Sequence, residues 1–374
     1  MTTSTRDDRF QRAGRPEERG FTVLEMLVSL AIMLVVTGGI FKLADTTQGG
    51  MRTQPEVADM HQRLRIAADM IYRDLLMAGA GLERGPASGS LNRFLPAIRP
   101  SRRGLSKPDA PLAAAADRIS ILFVPQTRAQ TGLAGDMSSP VTDLTVSPTA
   151  PGCPGGGPCG FSAGMPVLLV DSSGVGAGYE LFQVTGTGAS TIQHAAPNPT
   201  FTKAYLQNAG QLSEVEQHVY YLDSTARQLM HYDGRDTDEV LVDNVVGLTF
   251  THFADPDPSR VPEPPPGMSS CLYDPGDPPK PLLAPLGGTA LQPLTLSQLS
   301  DGPVCGLGGN QFDGDLMRIR KVRVSIRIQA STADLRGKDS KTFASAGAAT
   351  DGRRYVPDYS MNFDVSPRNL NLIR

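Results

Sequence analysis

Phe21-Thr-Val-Leu-Glu25-Met-Leu-Val-Ser-Leu-Ala-Ile-Met-Leu-Val-Val-Thr-Gly-Gly-Ile-Phe41 is a run of 21 residues with one charge, closed by Lys42. At 1.5 Å per residue a helix of that length spans about 30 Å, the thickness of a bilayer core. Residues 1–20 before it are polar and carry Arg6, Arg9, Arg12, Arg15 and Arg19. Membrane orientation follows Lys and Arg, so this end is expected in the cytoplasm and everything beyond Lys42 outside the inner membrane. A secretory signal peptide has a shorter apolar core and a small-residue cleavage site after it; this run is long, and no convincing site follows. A plain anchor fits the length but leaves Glu25 unexplained. A carboxylate at the centre of a membrane helix costs about 2.5–3.5 kcal/mol, less near an end, and calls for a partner or a function.

Working outward, a second helical pattern follows. Val57, Met60, Leu64, Ala67, Ala68, Ile71, Leu75 and Ala78 recur at spacings of three and four, with Arg63, Arg65, Asp69, Arg73 and Asp74 between them. This predicts an amphipathic helix over 42–81 that lays one stripe on a core. Gly79 and Gly81 are its expected C-cap glycines. Gly38-Gly39, Gly49-Gly50 and Pro55 are expected weak points, the first pair serving equally well for close helix packing in the membrane.

Beyond Gly81 the helical period stops. Short runs rich in Val, Ile, Phe and Tyr predict strands at Arg118–Val124, Met165–Val170, Tyr179–Thr185, Gln217–Leu222, Arg227–Tyr232, Glu239–Phe253 and Lys321–Gln329. Residues 219–232 read as a hairpin turning at Asp223–Ala226. Val322, Val324, Ile326 and Ile328 point one way, Arg323, Ser325, Arg327 and Gln329 the other. Residues 84–116 and 126–164 read as loop-rich, and 254–303 as a Pro-rich insertion unsuited to a central strand. The 39 Gly and 31 Pro fit such loops without reaching the level of wholesale disorder. The expected fold class is α+β: a long N-terminal helix on an antiparallel sheet body with loop insertions, occupying 82–374.

Motifs for chemistry are scarce. The sequence has no phosphate-loop signature, no H-E-x-x-H and no G-x-S-x-G, so no enzyme, no cofactor and no metal is expected. His61, His194, His218, His231 and His252 lack metal-ligand spacing, and His218 and His231 read as ordinary strand residues. Asp233, Asp236, Asp238 and Glu239 lack the Asp-x-Asp-x-Asp-Gly order of a calcium loop and read as a solvated turn. Arg318, Arg320, Lys321, Arg323 and Arg327 read as a solvated sheet face. A net charge of −3 gives no basic surface for nucleic acid. Cys153, Cys159, Cys271 and Cys305 lie in loop-like stretches. In an exported body, Cys153–Cys159 and Cys271–Cys305 would staple loops, with a metal site as the competing use.

Arg19-Gly20-Phe21-Thr22-Val23-Leu24-Glu25-Met26-Leu27-Val28 resembles the processing site of class III signal peptides, found in type IV prepilins and type II secretion pseudopilins. The resemblance implies that a membrane peptidase cuts after Gly20 and methylates Phe21, and that Glu25 is the family's acid at the fifth mature position. Such a cut leaves the helix in place as an anchor. The new α-amine of Phe21 and the Glu25 carboxylate then offset each other's charge in a low-dielectric setting. More loosely, Glu216–Phe250, Leu316–Val324 and Phe363–Leu370 resemble the PilW family of minor pilins and J-type pseudopilins. The resemblance implies inner-membrane insertion, a periplasmic body and entry into a filament. Its implied partners are prepilin peptidase, other minor pilins and the major pilin through N-terminal helices, the assembly platform and membrane lipid.

Overall fold

The apolar run from Val23 and the amphipathic stretch after it form one α-helix, Val23–Met77. The computed structural model describes residues 20–82, 89–126, 129–147, 153, 158–195, 198–264, 270–349 and 355–372, without the side chains of 45–50. The arginine-bearing leader therefore lies outside the described residues. Gly38-Gly39, Gly49-Gly50 and Pro55 all stay within the helix, although sequence marks them as weak points. Gly79 ends it at φ +77°, and its N–H donates to the Leu122 carbonyl at 3.0 Å. A Cβ there would sit 2.6 Å from Leu370 Cδ2, so both backbone shape and space require glycine. Asn369 Nδ2 donates to the carbonyls of Met77 and Ala78 at the helix end, beside the Ala80 N–H that also donates to Met77.

The chain divides into two compact units, one ending at Gln54 and one starting at Pro55. In the second unit the helical stripe behaves as its spacing predicts. Met60, Ala67, Ile71, Leu75 and Ala78 are fully buried and Leu64 nearly so. They share one core with residues of two antiparallel sheets, among them Ile119, Ile121, Tyr220, Leu248, Val324 and Ile326. The architecture is α+β.

The first sheet runs in the order Ile98–Arg99, Arg118–Phe123, Glu216–Asp223, Gln228–Tyr232, Asp238–Asp243, antiparallel throughout. Its hairpin turns where the sequence places it. Asp223 Oδ1 accepts from the N–H groups of Thr225 and Ala226, both at 2.9 Å, and Arg227 takes φ +58°. The second sheet runs Gln292–Pro293, Val245–Ala254, Ile319–Ile328, Tyr359–Val365. Val322, Val324, Ile326 and Ile328 are all buried, as their alternation requires.

One expected strand is two. The run 239–253 breaks at Asn244, which adopts φ +59°. Asp238–Asp243 then closes the first sheet, and Val245–Ala254 opens the second. Asparagine tolerates this left-handed corner. Alternating apolar residues on both sides hide it from a periodicity reading.

Residues 126–164 differ from the loop expectation. Arg118–Phe123 and Glu216–Asp223 are direct neighbours, so all of 124–215 is an insertion between paired strands. It builds its own four-stranded sheet, Gln130–Gly132, Gly210–Glu214, Pro166–Asp171, Tyr179–Gln183, over a second core that includes Leu144, Phe161, Phe182, Phe201, Tyr205 and Leu212. Strands of two or three residues are too short to show a period, which is why the segment reads as loop. The Pro-rich region sits likewise between the neighbours Val245–Ala254 and Ile319–Ile328. It contributes the short edge strand Gln292–Pro293, yet Leu272, Leu283, Leu294 and Leu299 are buried in the main core. Irregular backbone here is still packed chain.

Candidate processing and assembly site

Thr22 and Glu25 build the start of the helix. The Glu25 N–H donates to Thr22 Oγ1 at 3.2 Å, while Glu25 Oε2 accepts from the Thr22 N–H at 3.0 Å and from its hydroxyl at 3.1 Å. This is a capping box: two backbone donors that a helix start leaves open are satisfied reciprocally. Sequence reasoning overlooked it, although Thr22-x-x-Glu25 ahead of an apolar run is its signature. The box gives Glu25 a local partner one turn from Gly20-Phe21. It also fixes the carboxylate beside the backbone on which a cut after Gly20 would create a new amine.

Phe21 is 82% exposed, and the large apolar residues from Val23 through Leu43 are exposed as well. Gly38 and Gly39 have nothing within 4 Å of where a Cβ would lie. Among the described residues one helical span, Val23–Ala44, is long and apolar enough to cross a membrane, with 22 residues and a mean hydropathy of 2.3. Its apolar surface runs all round the helix, as suits lipid or other helices and not a one-sided core contact.

Residues 15–41 match the prokaryotic N-terminal methylation motif. The chain begins as type IV pilin-like proteins do. The motif is a class III signal peptide, so it implies processing by prepilin peptidase and pilus-type assembly. With the apolar helix behind it, the motif fits an inner-membrane anchored pilin. No curated protein and no solved structure matches the chain.

The remaining candidate residues fall elsewhere. Cys153 is bonded to Cys159 and Cys271 to Cys305, with Cα–Cα separations of 4.6 and 5.3 Å inside the ordinary disulfide range. The first bond staples the inserted subdomain, and the second the Pro-rich segment, packing on Gly176 of the first insertion. In the acidic turn, Asp233 Oδ1 accepts from the N–H groups of Arg235, Asp236 and Thr237, a backbone-capping use.

The basic stretch is not one solvated face. Arg318 is buried, paired with Asp315 and donating to the Ala284 carbonyl. Arg320 is buried too and donates to the carbonyls of Met317, Ile319 and Arg260. Lys321 and Arg323 share Asp364, and Arg327 pairs with Asp358. The parity of Arg320 with Val322 and Val324 already pointed it inward. The structure also brings together His218, His231 and Asp74, which no linear spacing groups.

Proposed function

We propose that this chain is a minor pilin of the PilW type, cut after Gly20 by prepilin peptidase and inserted through residues 21–41 into a type IV pilus. In this reading it helps to start assembly or sits in a tip complex, as a structural subunit and not an enzyme. The observation that carries the proposal is the capped, all-round apolar helix placed directly behind Gly20-Phe21 within the matched motif. The large body with its two insertions supports a low-abundance role, because a repeating filament subunit is better served by a small body. The two disulfides suit a periplasmic location. Partners in this reading are other minor pilins, the major pilin, the assembly platform and lipid.

A second reading, a minor pseudopilin of a type II secretion system, shares the motif and rests on the J-type resemblance of Glu216–Phe250. The test of the shared step is the N-terminal sequence and mass of membrane-extracted protein from cells with and without prepilin peptidase. A methylated Phe21 start that depends on the peptidase is the expected result. An intact Met1, or a cut beyond residue 41, overturns both readings. Recovery in sheared surface pili and not in secretion complexes then separates the first from the second.

A further inference from the structure

The hairpin register places His218, Tyr220 and His231 on one face of the first sheet, because Tyr220 pairs with His231 and His218 lies diagonal to it. Asp74 reaches that face from the helix of the same compact unit. His218 Nδ1 is 2.9 Å from His231 Nε2 and 3.5 Å from Asp74 Oδ2. The three ligand atoms all lie within 4.8 Å of one another. A tetrahedral zinc with bonds of 2.0–2.2 Å needs ligand atoms about 3.3 Å apart, inside that spread.

His231 Nδ1 faces Glu239 Oε1 at 3.4 Å, and His218 Nε2 faces Glu216 Oε2 at 3.6 Å. A carboxylate only accepts, so His231 can turn an N–H toward Glu239, while the 2.9 Å contact between His218 Nδ1 and His231 Nε2 is a hydrogen bond in which one ring donates to the other. That hydrogen bond lies beside the Asp74 carboxylate, and the Tyr220 hydroxyl donates to Asp74 Oδ2. When the proton between the rings moves to an outward nitrogen, His218 Nδ1, His231 Nε2 and Asp74 Oδ2 become three convergent acceptors that a cation can bridge. The carboxylate behind each imidazole is also the arrangement that orients histidine toward a metal.

We propose that Asp74 Oδ2, His218 Nδ1 and His231 Nε2 bind one divalent transition metal, with Zn²⁺ the best fit. Two imidazoles and one carboxylate suit its borderline character. The site is partly enclosed: the side chains of His231, Asp74 and His218 are 9%, 15% and 23% exposed. That leaves room for a fourth ligand from solvent. Phe123 stacks on the His218 ring at 5.7 Å and holds it in place. Bound metal would pin the helix to the hairpin, coupling occupancy to the stability of the body.

The experiment uses the untagged full chain in detergent, stripped with chelator and titrated with ZnCl₂ by calorimetry, with Co²⁺ visible absorption as a second readout. Wild type is expected to take one Zn²⁺ per chain, to show tetrahedral Co²⁺ bands and to melt at higher temperature when loaded. His231→Gln should lower affinity by about 100-fold or more, and Glu239→Gln by about 10–100-fold, as expected for a ligand and its supporting carboxylate. Glu239 is exposed, so the second variant carries the test if the first fails to fold. No stoichiometric Zn²⁺ binding in wild type overturns the proposal, and so does affinity unchanged in Glu239→Gln.

Discussion

Residues 23–44 and 57–77 belong to one backbone helix, but they are written for different surroundings. In the first stretch the large apolar side chains lie exposed on every face, from Val23 at 78% to Leu43 at 73%. In the second, Met60, Ile71 and Leu75 are fully buried while Ile66 and Tyr72 on the other faces are not. Both stretches form helix by the same local rules, yet only the second has the stripe that makes a folding contact inevitable. The first carries its information in composition and in its capped start. The difference teaches that apolar content alone says little about where a helix goes; its angular distribution says more.

The comparison can be broken at Glu25. Glu25→Ala removes both the charge and the cap, whereas Glu25→Gln keeps the capping acceptor and removes only the charge. Near-complete loss of filament incorporation is expected for both, with the thermal melt of the body unchanged. Incorporation retained by the glutamine variant would assign Glu25 to capping alone. Sheared-pilus yield against total membrane protein is the measurement.

Core truncation sharpens the contrast. Ile71→Ala should destabilise the body by about 2–5 kcal/mol in urea titration, whereas Leu34→Ala should shift the same transition by less than about 0.5 kcal/mol. Equal effects would mean that the two stretches share one packed environment.

Acid should find the body and spare the apolar span. His252 is buried in the second sheet, and burial pushes its pKa down to about 4. Above pH 6.5 neither the folded nor the unfolded form is protonated there. Below 6.5 the unfolded chain takes up a proton that the folded one refuses until about pH 4. Stability is therefore full at neutral pH, falls between about 6.5 and 4, and levels off below, a loss of roughly 3 kcal/mol from this residue. His252→Leu should flatten that part of the stability–pH curve.

Within the folded body, a smaller loss than that of Ile71→Ala is expected at Tyr220→Phe. It leaves the packing intact and takes the hydroxyl donor from Asp74, costing about 1–3 kcal/mol in the same urea titration.

Much of this was legible in advance. Arg118–Phe123, Glu216–Asp223, Gln228–Tyr232 and Ile319–Ile328 stand close to where short apolar or alternating runs predict them; Ile319–Ile328 is long enough to show its period, and Arg118–Phe123 is an apolar run buried at five of its six positions. Gly210–Glu214 was not legible. It is buried on both faces in a five-residue run containing Gln and Ser, so no alternation marks it. Tyr359–Val365 does alternate, Tyr, Met, Phe and Val against Ser, Asn and Asp. It is the edge strand of its sheet, and all of its apolar residues but Val365 are only partly buried. At the candidate site, Gly20, Phe21 and Glu25 were legible as a motif, but the capping box that engages Glu25 was overlooked. The histidine pair was invisible because its members lie 13 residues apart in sequence and meet only through hairpin register.

By itself, then, the sequence determined the features that local chemistry controls. These are an apolar span with a charged leader, a processing motif, an amphipathic stripe, and turns set by Gly79 and Asp223. Each depends on neighbours within a few residues, through hydropathy, helical spacing or capping. The tertiary structure alone decided which strands pair, that Asn244 passes the chain from one sheet to the next, and that 124–215 folds as an insertion with its own core. It also decided that Asp74, His218 and His231 converge. Those outcomes are set by burial and register across long sequence separations, where many weak contacts add up and no single residue announces the result.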